Sequence, residues 1–144
     1  MRRMLKPRPD RHQLALLEST LLAELRVLRL RVPHLAGGLV AGVNGLLLAH
    51  DTHGTDPEGL AALTATALGV AQRLSDATGQ GGFRESLFRG EHGYIATYAA
   101  GPSCVLTLLS HPDVSIGRLH LEARRSAQRL GEVLRGGDQQ PSAG

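Results

Sequence analysis

The sequence predicts one α/β domain in which a β-sheet is covered by helices on both faces. Apolar residues recur every three or four positions in a segment near each end and in one central segment, which is typical of amphipathic helices. Short apolar segments without polar alternation lie between them, as expected of strands buried on both faces. The predicted order is therefore helix, two strands, helix, three strands, helix, and 144 residues suffice for a single core.

The first helix and a β-hairpin are predicted in the first third of the chain. Leucines line one face of a helix over residues 14–30, and Pro33 disfavours helical backbone angles at Val32, so the helix ends there. The apolar segments 39–43 and 46–49 are joined by Asn44 and Gly45. Because Asn-Gly suits the positive φ angles of a type I′ turn, this pattern predicts a hairpin.

A second helix is predicted over residues 57–77. Asp56 is expected to cap its first turn, Pro57 fits the first helical position, and Gly79 follows its end. Its larger apolar side chains are expected to pack on the sheet: Leu60, Leu63, Ala67, Val70, Ala71 and Leu74.

The opposite face of this helix carries small residues where a solvated face would carry charges. It is formed by Ala61, Ala62, Ala65, Gly69, Gln72 and Arg73. Small side chains let another backbone approach closely, which favours a second packing face against the same helix of another subunit. The alternative is an exposed face in which alanine serves as a good helix former.

Three further strands and a last helix complete the domain. Residues 83–89 alternate, with Phe83, Glu85 and Leu87 on one side, and their charges indicate a strand at a sheet edge. Strands over 94–100 and 104–109 follow. Ser115 is expected to cap the last helix, whose apolar stripe is Ile116, Leu119, Ala123, Ala127, Leu130 and Leu134.

Charge divides the chain into a basic arm and a near-neutral domain. The net charge is +3, but residues 1–11 alone carry five basic residues and one acidic residue. We expect a flexible arm over 1–12, the domain over 13–135 and a disordered tail over 136–144. No segment has the length and hydropathy of a transmembrane span, and a single cysteine fits a reducing compartment, so a cytoplasmic protein is expected.

No catalytic, cofactor or metal site is predicted. Residues 110–113 contain Ser, His and Asp, but neighbours on one loop cannot form a catalytic triad. The two histidines and the aspartate of residues 50–53 are typical of a solvated loop. Cys104 begins an apolar strand and is expected to be structural. Aromatic residues make up only 3% of the chain and the basic residues concentrate in the arm, which argues against specific nucleic-acid recognition.

Four stretches, taken in order, resemble the roadblock family, named for a dynein light chain. Residues 38–49 are similar to its first strand pair, 57–63 to the start of its central helix, 93–95 to its fourth strand and 119–125 to its final helix. The resemblance covers roughly residues 14–134. Asn44 departs from the family, in which Asp is frequent at that position.

The resemblance implies an α+β, roadblock/profilin-like fold: a five-stranded antiparallel sheet between one central helix and two terminal helices. It also implies a homodimer in which the central helices pack together and the third strands pair. The predicted dimer interface comprises Ala61, Ala62, Ala65, Gly69, Gln72, Arg73, Phe83, Glu85 and Leu87.

Functionally, the resemblance implies a non-catalytic adaptor or regulator of a small Ras-like GTPase in bacterial signalling, often encoded beside the GTPase and a sensor kinase. Such a protein needs no cofactor and can act by repositioning the GTPase's own catalytic groups. The alternative is a structural scaffold that its basic arm tethers to an acidic partner or a membrane. A third possibility is an enzyme whose site the sequence does not reveal.

Overall fold

A five-stranded antiparallel sheet lies between one helix on one face and two helices on the other. The computed structural model describes residues 10–138. In chain order the elements are α1 Arg11–Arg31, β1 Leu35–Gly42, β2 Leu47–Asp51, α2 Pro57–Thr78, β3 Glu85–Gly90, β4 Gly93–Ala99, β5 Cys104–Ser110 and α3 Ile116–Asp138. The strand order is β2-β1-β5-β4-β3, with β2 and β3 at the edges. The predicted fold class and order of elements are confirmed.

The first helix begins earlier than the leucine pattern predicts. The Asp10 carboxylate accepts a hydrogen bond from the Gln13 backbone N–H at 2.7 Å, and the Gln13 side chain accepts one from the Asp10 N–H at 3.1 Å. This capping box fixes the start at Arg11. Arg11 and His12, which the prediction assigned to the arm, thus belong to α1, and residues 1–9 lie outside the described part of the chain.

The last helix runs longer than predicted. The Ser115 hydroxyl accepts a hydrogen bond from the Arg118 N–H at 3.3 Å, as expected of an N-cap. At the other end α3 continues to Asp138, although the tail was predicted to start at residue 136. A glycine costs a helix only about 1 kcal/mol, so Gly136 and Gly137 do not by themselves end it. The rest of the predicted tail, residues 139–144, is not described.

The turn between β1 and β2 confirms the predicted hairpin but not its type. The Gly42 N–H donates to the Leu46 carbonyl at 2.8 Å, and the Asn44 side-chain oxygen accepts from the Leu46 N–H at 3.1 Å. Gly45 has a φ of 90°, whereas Asn44 does not have a positive φ. A type I′ turn needs positive φ at both positions. The side-chain bond of Asn44 instead stabilises a wider turn.

The core is unequal on the two faces of the sheet. Between the sheet and the pair α1 and α3 lies a large cluster that includes Leu21, Leu28, Leu119 and Leu130. The buried cluster on the other face is smaller: Leu39, Ala41, Ala61, Leu68 and Val105. The helix α2 packs mainly on β1 and β2. The half of this face formed by β3 and β4 is therefore less covered than the half formed by β1 and β2.

Candidate interaction surface

The helix α2 packs on its own sheet through a face different from the predicted one, although Leu60 packs against the sheet as predicted. Ala61 is 0% exposed, and Thr64 and Leu68 are also buried. A methyl group at Gly45 would contact the Cβ of Ala65 at 3.5 Å, so the hairpin turn lies directly against this face. The small residues thus allow a close approach, but to the chain's own hairpin.

The larger apolar residues of α2 face outward. Leu63 is 69% exposed, Val70 is 56% exposed and Leu74 is 64% exposed. The prediction that they pack on the sheet is wrong. Beside the Gly45 turn the helix carries Ala61, Ala62 and Ala65, whose small size lets the turn approach to van der Waals contact. The spacing of Ala61, Thr64 and Leu68 is the sequence signal that could have revealed the inward face.

The other predicted interface residues of α2 occupy mixed environments. Ala62 and Arg73 are exposed, and Gly69 borders open space. Gln72 is half-buried and acts within the subunit: its amide donates to the Asp76 carboxylate at 2.9 Å and accepts from the Phe83 N–H at 2.9 Å. Gln72 thereby fixes the loop that connects α2 to β3.

The edge strand β3 also contributes apolar surface. It pairs only with β4, and its register places Phe88 opposite Ile95. Ala96 packs in the core beneath α1 and α3, so the alternating pattern places Phe88 and Ile95 on the α2 side of the sheet. Phe88 is 67% exposed and Ile95 is 36% exposed. Leu87, on the opposite side, is also exposed.

Glu85 of β3 is held within the subunit. Arg124 of α3 donates to its carboxylate from Nε at 2.9 Å and also from a terminal guanidinium nitrogen. These hydrogen bonds lower the pKa of Glu85 below its usual value. The carboxylate is therefore engaged on the α3 side and does not lie at the free edge of the sheet.

Five exposed apolar residues lie on the α2 side of the domain, and together they are called the open face: Leu63, Val70, Leu74, Phe88 and Ile95. Helix and strand contribute to it from the same side of the domain. Large exposed apolar side chains are typical of protein interaction sites when they form a patch. The open face lies on the helix and the strand for which the sequence predicted a dimer interface, but it consists of other residues, and the interface itself stays a prediction.

The polar clusters of the described residues do not form a metal site. No group of three or more His, Cys, Asp or Glu within residues 10–138 could hold a metal ion. His50 and Asp51, predicted to lie in a loop, end β2, and Asp51 lies 3.4 Å from the guanidinium of Arg29. Cys104 is half-buried. None of the helices in this part of the chain has the length and hydropathy needed to cross a membrane.

The architecture defines a class of small α+β proteins. The structure of Myxococcus xanthus MglB has a TM-score of 0.79 and 16% identity, covering 96% of this chain and 100% of that one. The gliding protein MglB from Thermus thermophilus has a TM-score of 0.75 and 21% identity, covering 83% and 91%. At these identities the likeness is one of fold.

Sequence comparison gives the family. The model of the Roadblock/LC7 domain matches residues 21–110. The uncharacterized protein MJ0714 of Methanocaldococcus jannaschii is 30% identical over 101 residues, which are 69% of this chain and 85% of that protein. The chain belongs to the Roadblock/LC7 domain family, as its resemblance to roadblock proteins predicted. Members of this family are generally non-catalytic adaptors or regulators.

Proposed function

We propose that this protein is a non-catalytic, homodimeric adaptor that binds a small Ras-like GTPase and regulates its cycle in bacterial cytoplasmic signalling. The open face carries the proposal. Its leucine, valine, isoleucine and phenylalanine side chains are exposed in the single subunit. Burying apolar surface stabilises a complex by roughly 25 cal/mol per Å², so this face favours association.

The occupant of the open face is a second copy of the chain. In a two-fold dimer each subunit uses the same surface, so an outward row on α2 can pack against its own twin. The free edge of β3 supports the same arrangement, because its unpaired backbone groups are available to a second β3 strand. This interface uses Leu63, Val70 and Leu74 in place of Ala61, which the subunit itself buries.

Membership of the Roadblock/LC7 family supports the regulatory role. A dimer offers a GTPase one rigid surface, and a rigid surface can hold the catalytic groups of the GTPase in a productive arrangement. The chain has no recognisable arginine-finger motif, so the proposed action is to orient the groups of the partner. A sensor kinase complex is a further partner of the same proposal.

The test uses a small GTPase encoded beside this protein. We expect the full chain to bind the purified GTPase and to change its rate of GTP hydrolysis or nucleotide exchange. The variant Leu63→Glu should lose this effect if the dimer is the active form. The variant Leu30→Glu changes a leucine on α1 that is 85% exposed and lies away from the open face, and it should keep the effect. The proposal would be refuted if the wild-type chain neither bound the GTPase nor changed either rate.

A scaffold tethered by its basic arm is the second candidate function. It is supported by the five basic residues within residues 1–11, which give this segment a charge of +4. Removing residues 1–9 leaves Asp10, and hence the cap of α1, in place. The scaffold function predicts that this deletion abolishes localisation and leaves dimerisation unchanged. Unchanged localisation would contradict it.

A further inference from the structure

We propose that a cleft beside α3 docks an acidic peptide segment of a partner protein. The cleft has a volume of about 740 Å³ and lies between α3, the start of β3 and the turn that joins β4 to β5. Volumes of this order are typical of binding clefts and far exceed what a single inorganic anion requires. We call it the α3 cleft.

The shape of the cleft is fixed by a backbone contact at its base. A methyl group at Gly131 of α3 would lie 2.9 Å from the backbone nitrogen of Gly101 in the β4–β5 turn. The two segments therefore touch without side chains between them, and α3 is held close to the sheet at this point. Arg135, one helical turn further, lines the cleft with its Nε 4.0 Å from the methyl position on Gly101.

The charges of the α3 cleft favour an anionic ligand. Among its lining residues, Arg124 and Glu85 neutralise each other in the ion pair described above. Arg84 and Arg135 have no ion pair with any residue that the structure describes, and Glu132 is the remaining acid of the lining. The guanidinium groups of Arg84 and Arg135 therefore exceed the single carboxylate of Glu132, which leaves the lining with a positive charge. Guanidinium groups bind carboxylates through two parallel hydrogen bonds.

The remaining lining residues favour a peptide over a compact anion. Gln128 offers an amide that can both donate to and accept from a peptide backbone. Phe83 and Pro102 supply apolar surface for a side chain between the acidic residues. The ligand that fits this combination is an extended segment with acidic residues on either side of an apolar one.

The α3 cleft lies away from the α2 part of the proposed dimer interface, whereas the start of β3 borders both. Glu85 and Tyr98 line the cleft and face α3, whereas the open face lies on the α2 side of the sheet. The α2 contact of the dimer would therefore leave both clefts accessible. The inference does not depend on the GTPase proposal, because any acidic partner segment can be tested by itself.

The experiment measures the fluorescence anisotropy of two labelled peptides with the full chain. One has a central leucine–phenylalanine pair flanked by glutamates, and the other has glutamines in place of the glutamates. We expect the glutamate peptide to bind and the glutamine peptide to bind much more weakly. The double variant Arg84→Gln/Arg135→Gln should weaken binding of the glutamate peptide by about tenfold, the equivalent of ~1.4 kcal/mol.

The matched control is the double variant Arg11→Gln/Arg26→Gln. It removes the same charge from two exposed arginines of α1 that do not line the cleft. Retained affinity in this control would support binding at the α3 cleft. A loss equal to that of Arg84→Gln/Arg135→Gln would show non-specific attraction and overturn the proposal. Equal binding of the two peptides, or no binding of either, would also overturn it. Binding of phosphatidylserine-containing vesicles in place of the peptide would reassign the surface to a membrane.

Discussion

Arg124 of α3 holds Glu85 of the edge strand β3 in a two-point ion pair. Among the described residues, this ion pair connects the edge strand β3 to the helix α3. The helix on the other face packs mainly on β1 and β2. The pair is therefore expected to restrain the end of the sheet that the proposed dimer uses.

The variant Arg124→Ala should loosen β3 without unfolding the domain. We expect faster amide hydrogen exchange in residues 85–90 and little change in β1, because β1 lies inside the sheet, between two paired strands. Arg125→Ala is the matched control, since Arg125 makes only a longer contact with Glu122, at 3.9 Å. Unchanged exchange in β3 would show that its pairing with β4 is sufficient to order it.

Acid should lower the free energy of unfolding of the wild-type chain, and part of this loss should come from the ion pair of Arg124 with Glu85. Arg124 lowers the folded-state pKa of Glu85, so the pair contributes stability above the unfolded-state pKa of the carboxyl group. That stability is lost as the pH falls through the lowered folded-state pKa. Chemical denaturation between pH 7 and the acid range should therefore show a smaller loss of unfolding free energy in Arg124→Ala than in the wild type. Identical losses would contradict the assignment.

The inward orientation of α2 predicts opposite outcomes for two neighbouring alanines. Ala61→Leu should lower the free energy of unfolding by about 1–3 kcal/mol, because Ala61 is fully buried against the sheet. Ala62→Leu should change it by less than about 0.5 kcal/mol, because Ala62 is exposed. Urea denaturation measures both. An effect at Ala62 as large as that at Ala61 would contradict the inward position of Ala61.

The open face predicts a monomeric variant that remains folded. Val70→Glu should place a charge in the centre of the proposed α2 contact and shift the chain from dimer to monomer in light scattering. Its circular dichroism spectrum should match that of the wild type, because Val70 is 56% exposed in the single subunit. The control Leu16→Glu changes a residue on α1 that is 55% exposed and should leave the dimer intact. A dimeric Val70→Glu would place the interface elsewhere.

Substitution by alanine should change the stability of the domain in opposite directions at two glycines of α3. Gly131→Ala should destabilise the domain by about 1–3 kcal/mol, because the added methyl group meets the backbone of Gly101. Gly117→Ala has open space around its methyl position and should stabilise the helix by up to about 1 kcal/mol. Thermal unfolding compares the two. A neutral Gly131→Ala would show that α3 can move away from the turn, and that the base of the α3 cleft is not rigid.

Local chemistry explains why so much of the fold could be predicted. Pro57 and Gly79 bracket α2 as expected, and Gly79 has the left-handed φ of 68° that is common at a helix end, but the Asp56 side chain makes no capping hydrogen bond, contrary to the prediction. Ser115 caps α3. These signals involve residues within one turn of each other, so they act independently of the rest of the chain. The start of α1 was missed because its capping box pairs Asp10 with Gln13, ahead of the leucine pattern.

The sequence by itself determined the elements, their order, most of their ends and the fact that α2 has two apolar sides. Only the tertiary structure decided which of those sides is inward. One of the segments that α2 packs against is the turn at Gly45, outside the helix, where an added methyl group would lie 3.5 Å from the Cβ of Ala65. Helical periodicity records which residues share a face, but it contains no information about the space that another segment leaves for that face.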